Sequence, residues 1–140
     1  MTIESEAEAR RAPRPNGYTD TTEFWSAARE GRYLVQFDRE TGEPQWFPKS
    51  LSMSTGRRQL EWREVSGRGL LYSWTVTRSA WPGHEHRVPY VCALVDLEEG
   101  VRVLANLVHV DSGSLAVGQP CELVWEDLGD GVRYPAFEVR

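Results

Sequence analysis

A mainly β chain is what the sequence predicts: a short N-terminal helix, a small ribbon built on two tight turns, and a β-barrel. Three observations carry this. From Leu60 onward, short runs rich in Val, Leu, Tyr and Trp are separated by turns containing Gly and Asp. Within Gly69–Arg78, Leu71, Ser73, Thr75 and Thr77 alternate against Leu70, Tyr72, Trp74 and Val76, a two-sided pattern that suits a barrel wall. Between Tyr33 and Gly56, two x-x-spaced turns, each ending in Gly, flank the stretch Trp46-Phe47-Pro48. At 140 residues, 40% of them hydrophobic, the chain is long enough for a real core and too short for two large ones.

In order along the chain, residues 1–18 are rich in Glu, Arg, Ala and Pro, with Pro13 and Pro15 blocking helix continuation, and read as a disordered tail. Asp20-Thr21-Thr22-Glu23 offers an N-cap with a Glu three residues on, the capping-box pattern. Phe24, Trp25 and Ala28 share a face of the helix that follows, and Gly31 supplies its end. An exposed Phe24–Trp25 pair would be a docking surface; packing of the pair on ribbon or barrel is the alternative.

The ribbon, residues 19–58 together with the helix, has the outline of a zinc ribbon without its ligands. Zinc knuckles read C-x-x-C-G, because tetrahedral zinc takes four thiolates from two tight turns. Here the four positions hold Asp38, Thr41, Ser52 and Thr55. Hydroxyls bind zinc poorly at neutral pH, so zinc is expected to be absent. Packing of Tyr33, Val35, Phe37, Trp46, Phe47 and Leu51, with hydroxyl bonds to the turn amides, is expected to hold the ribbon instead.

The remaining segment, 59–140, is expected to form the barrel from strands at 60–65, 69–78, 88–97, 102–108, 120–126 and 134–139. Gly67 and Gly69 permit a bend, while Glu99-Gly100 and Asp130-Gly131 read as hairpin turns. Periodicity supports an all-β barrel and goes no further.

The formal net charge of −5 argues against bulk attraction to nucleic acid or anionic lipid. No run approaches the roughly 18 apolar residues of a membrane span, and no apolar stretch marks a secretory signal. Cys92 and Cys121 lie in apolar strand contexts and read as buried reduced thiols, which favours a cytoplasmic location. No nucleophile elbow, phosphate loop, dinucleotide fingerprint or H-E-x-x-H is present, so a stand-alone enzyme is not expected. His84-Glu85-His86 could place two imidazoles on one face, but Trp81-Pro82-Gly83 before it signals a loop, where clustered polar residues are common. His109, between Val108 and Val110, reads as a surface-facing strand residue.

Several ordered segments together resemble the DUF35 family. They are Phe24-Trp25-Ser26-Ala27-Ala28-Arg29-Glu30-Gly31, Leu60-Glu61-Trp62 leading to Val65-Ser66-Gly67-Arg68-Gly69, and Tyr72-Ser73-Trp74-Thr75-Val76. The run from Val88 to Arg102, Asn106-Leu107-Val108, Gly118-Gln119-Pro120 and Asp130-Gly131 complete the match. The resemblance implies a helix, a rubredoxin-like zinc ribbon and an OB-fold; the missing cysteines are the departure. It also implies an accessory subunit without catalytic residues, held in a hetero-oligomer with a thiolase-fold enzyme (thiolase, acyltransferase or aldolase) acting on acyl-CoA. A MaoC-like enoyl-CoA hydratase is the second choice of partner. Carried onto this chain, the partner surface falls on Phe24, Trp25, Trp46 and Phe47, and the loop holding Arg78, Trp81, His84, His86 and Arg87 faces substrate.

Arg57, Arg58, Arg63 and Arg68 around Trp62 form the local basic concentration, with three readings. They are a solvated face, a phosphate patch for a nucleotide-bearing thioester such as acyl-CoA, or a single-strand nucleic-acid groove. The acidic net charge weighs against the last. A nucleic-acid-binding OB module is therefore the functional alternative to the subunit.

Overall fold

The computed structural model describes residues 19–140, and the tail expected at 1–18 lies outside the described residues. Helix α1 (Thr22–Arg29) begins where the Asp20 carboxylate accepts the Thr22 amide at 2.9 Å. This differs from the expected capping box: Asp20 bonds two residues on, and Thr21 occupies the N-cap without a side-chain bond. The helix ends as expected. Gly31, at φ +75°, and Arg32 donate their amides to the Ala28 and Ala27 carbonyls, both at 2.9 Å, a Schellman closure.

Three strands make the ribbon sheet in the order β2-β1-β3: β1 (Leu34–Asp38), β2 (Pro44–Gln45) and β3 (Leu60–Glu64). The segment expected as the first barrel strand thus belongs to the ribbon. It pairs with β1 from Leu34 opposite Glu64 to Asp38 opposite Leu60. All five β1 residues are buried, so their backbone groups need partners on both edges, and β2 covers only two of them. The ribbon therefore runs past position 58, to Glu64. Two buried glutamines tie the irregular segment 49–53 to this sheet. Gln36 bonds both the carbonyl (2.9 Å) and the amide (2.8 Å) of Lys49, while Gln45 donates to Leu51 (3.2 Å) and accepts from Met53 (2.8 Å).

The barrel comprises β4 (Arg68–Thr77), β5 (Tyr90–Leu97), β6 (Arg102–Leu107), β7 (Pro120–Asp127) and β8 (Arg133–Val139). It closes in the order β4-β5-β6-β8-β7, with β7 returning to β4 and a parallel contact between β6 and β8. The described residues are thus mainly β, with one short α-helix ahead of the ribbon and a five-stranded OB-type barrel. Inside lie Leu71, Val91, Ala93, Val95, Val103 and Phe137, each removed from water at roughly 1.5–3 kcal/mol for the larger side chains. Gly69 is required by close approach: a Cβ there would lie 2.4 Å from the Asp96 carbonyl oxygen.

Strand β4 departs from simple alternation. A bulge between Leu71 and Ser73 leaves Tyr72 and Ser73 both exposed and moves Trp74 and Val76, rather than Ser73 and Thr75, toward the core. Helix α1 packs against β8 and β1, joining ribbon to barrel. Among the described residues no helix is long and apolar enough to cross a membrane.

Candidate functional site

The four positions where a zinc ribbon would carry ligands meet at the ribbon tip. Asp38 Oδ1 accepts the amides of Glu40 (2.7 Å) and Thr41 (2.9 Å), and Ser52 Oγ accepts those of Ser54 (3.2 Å) and Thr55 (3.3 Å). The two turns repeat each other: Gly42 donates to the Asp38 carbonyl at 2.8 Å and Gly56 to the Ser52 carbonyl at 2.9 Å. Across the turns, Asp38 Oδ2 accepts the Thr55 hydroxyl at 2.9 Å, while Ser54 Oγ bridges Thr41 (3.1 Å) and Ser52 (3.0 Å). Asp38 is 1% exposed. The Ser52 hydroxyl foremost, then the Thr41 amide, the Thr55 hydroxyl and the Glu40 amide, hold its carboxyl well below the usual carboxylate range against the opposing effect of burial. Zinc does not fit this donor set. One carboxylate and three hydroxyls cannot replace four thiolates, and the carboxylate oxygens already accept these bonds.

A groove of about 540 Å³ opens between α1, the Trp46-Phe47-Pro48 turn and the outer face of the barrel. The alternation of β5 explains the barrel wall: Val91, Ala93 and Val95 point inward, leaving Tyr90, Cys92 and Leu94 on the outside. The aromatic wall is continuous. Phe24 contacts Trp25 (4.9 Å between centroids), Tyr33 (6.0 Å) and Trp46 (6.1 Å); Trp46 reaches Phe47 (5.6 Å), and Trp25 reaches Tyr134 (5.7 Å). Burial, reinforced by Tyr134, pushes the Tyr33 phenol well above its ordinary value. The Trp46 indole Nε1–H is buried without a hydrogen-bond partner among the described residues.

Placement of the expected site residues is uneven. Phe24 is only 5% exposed, which corrects its assignment to a surface: its ring is enclosed by Trp25, Tyr33, Trp46 and Trp62. Trp25 and Trp46 are half-buried in the groove wall, and Phe47, 53% exposed, presents the open apolar face. The four arginines do not form one patch. Arg57 pairs with Glu40 in the ribbon turn (3.3 Å), Arg63 with Glu61 on β3, and Arg68 with Glu98 at the β5–β6 hairpin (3.0 Å); Arg58 is exposed. Carboxylates at three separate places, two of them distant in sequence, thus pair with three of the four arginines.

Of the loop residues, Arg87 enters the groove wall and stacks over Tyr90 at 5.3 Å from the ring centroid. His86 lines a second hollow beside this groove, while Arg78 and Trp81 are exposed. His84 Nδ1 and His86 Nε2 are buried without partners among the described residues. No group of three or more His, Cys, Asp or Glu among those residues could hold a metal ion. His109 follows β6 at φ +54° and contacts Glu138 through Nδ1. Cys121 is buried, which raises its thiol pKa, whereas Cys92 is partly exposed in the groove.

Sequence reading missed Tyr90, Cys92, Asn106 and Tyr134 as groove residues. The outward phase of Tyr90 and Cys92 was available in the alternation of β5, but nothing local says that the helix and ribbon cover that face.

The family model for the ChsH2 C-terminal OB-fold domain matches residues 62–126. A DUF35 domain-containing scaffold protein of Pyrococcus furiosus is 34% identical over 101 residues, covering 72% of this chain and 74% of that protein. A probable enoyl-CoA hydratase alpha subunit of Thermomonospora curvata is 29% identical across 89% of this chain, which spans only 39% of that longer protein. Among solved structures, a chain of an Ltp2-ChsH2(DUF35) aldolase superposes with a TM-score of 0.77 at 27% identity, covering 91% of this chain and 98% of its own. A DUF35 protein of unknown function from Sulfolobus solfataricus (TM-score 0.56, 15% identity, 97% and 93% coverage) shares the fold.

Proposed function

The chain belongs to the DUF35 family, and we propose that it is a non-catalytic small subunit of an acyl-CoA-processing complex, supporting a thiolase-fold enzyme of the aldolase, thiolase or acyltransferase kind. The observation that carries this reading is the likeness, over nearly the full length of both chains, to a chain of the Ltp2-ChsH2(DUF35) aldolase. Its site has the matching character. An aromatic face at Trp25, Trp46 and Phe47 lies between helix, ribbon and barrel, as suits a surface that meets another protein. The large partner then supplies the reacting groups, and the groove and the loop ending at Arg87 border its substrate channel.

A second reading, accessory subunit to a MaoC-like enoyl-CoA hydratase, is favoured by the 29% identity to the Thermomonospora protein. The nucleic-acid alternative loses support, because three of its four arginines pair with carboxylates at separate places. Isolation of the tagged chain from its native cells at low salt, followed by mass spectrometry, tests the proposal. Stoichiometric recovery of a thiolase-fold enzyme is expected. Recovery of a hydratase selects the second reading, and recovery of nucleic acid alone, or of nothing, refutes both.

A further inference from the structure

The groove does not stop at its aromatic half. A second hollow of about 440 Å³ adjoins it, and Arg87, Tyr90 and Asn106 line both. The two halves differ in chemistry: the first is walled by aromatic rings, the second by His86, His109, Asn106 and Glu126. Arg87 stands at the junction. Its guanidinium is held over the Tyr90 ring and forms no salt bridge among the described residues, unlike Arg57, Arg63, Arg68 and Arg102. Two buried polar atoms, Trp46 Nε1 in the aromatic wall and His86 Nε2 in a residue of the second hollow, also lack partners among the described residues.

We propose that this groove binds a small amphiphilic carboxylate, its apolar body lying along Trp25, Trp46 and Tyr134 and its carboxylate resting on Arg87. The volume of the aromatic half lies in the range of ordinary small-molecule sites, about 300–1,000 Å³. A planar guanidinium matches a carboxylate with two parallel hydrogen bonds, and its stacking on Tyr90 orients the fork before the ligand arrives. Asn106 lines both hollows beside Arg87 and can add its amide to the headgroup at the junction. The inference concerns the isolated chain and does not depend on which enzyme it accompanies.

Decanoate, decanol and acetate serve as probes, titrated into the full chain by calorimetry and by tryptophan fluorescence, since Trp25 and Trp46 stand in the wall. Decanoate is expected to bind saturably, about tenfold more tightly than decanol, the difference of one good charge-assisted contact; acetate should bind far more weakly than either. Arg87→Met should bring decanoate down to the level of decanol and leave decanol unchanged. Leu104→Trp, which fills the aromatic half from an exposed β6 position, should abolish both. Equal affinities for decanoate and decanol, no binding of either, or an Arg87→Met protein that keeps its preference for decanoate would each overturn the proposal.

Discussion

Replacing Tyr33 with alanine should remove the joint between helix, ribbon and barrel. The Tyr33 side chain is 2% exposed and touches rings from each part of the fold: Phe24 of α1 at 6.0 Å, Trp46 of the ribbon turn at 6.1 Å, Trp125 of β7 at 6.2 Å and Phe137 of β8 at 6.3 Å. Truncating a buried aromatic costs about 3–5 kcal/mol through lost transfer energy and the cavity left behind. Each edge-on ring pair adds about 0.5–1.5 kcal/mol in favourable cases. Because these contributions overlap, a loss of about 4 kcal/mol is expected, a large share of the 5–15 kcal/mol that typically separates folded from unfolded states. For a chain of this size the melting temperature should fall by about 12 °C. Urea titration followed by tryptophan fluorescence and by far-UV circular dichroism measures it, with Tyr33→Phe as the control that keeps the ring. Tyr33→Phe should stay within about 1.5 kcal/mol of wild type. A Tyr33→Ala loss below about 1 kcal/mol, or a Tyr33→Phe loss equal to it, would refute the packing argument.

Acid should loosen the ribbon tip first. The Asp38 pKa is lower folded than unfolded, so its contribution is complete above the ordinary value of 3.8 and is lost as pH falls below it. Melting curves from about pH 2 to 6 should therefore be flatter for Asp38→Asn than for wild type at the acid end; identical slopes would remove Asp38 from the account. Elemental analysis of the purified chain should find zinc far below one equivalent, and a chelator should leave the melting temperature unchanged. Near-stoichiometric zinc would contradict the hydrogen-bonded tip. Trp46→Ala should weaken partner binding more than it weakens the barrel, since the Trp46 ring belongs to the groove wall while the barrel closes without it. Equal losses in ribbon and barrel probes would argue against that division.

Where local chemistry decides, the sequence was legible. The Gly31 helix end and both hairpins follow from residue type, whereas Cys92, read as buried, lies on the outward face of β5. What failed was set by distant partners. Leu60–Glu64 reads as a barrel strand because it alternates, yet the second edge of buried β1 claims it. The β4 pattern looks unbroken until the bulge at Tyr72 shifts its phase. At the site, Trp25, Trp46, Phe47 and Arg87 are singled out by the family resemblance, and all four line the one groove. The scattering of Arg57, Arg63 and Arg68 was hidden, because adjacency in sequence does not say which carboxylate each arginine will meet.

The central claim, that this chain works as a subunit, is most directly tested by native mass spectrometry of the complex isolated from its own cells. Wild-type chain, 16.0 kDa, should be found bound in fixed ratio to a larger acyl-CoA enzyme, and Phe47→Asp, altered at a residue 53% exposed, should be found alone with its melting temperature preserved. A wild-type chain that appears only as the free 16.0 kDa species, or a Phe47→Asp chain that retains the partner, would contradict the account.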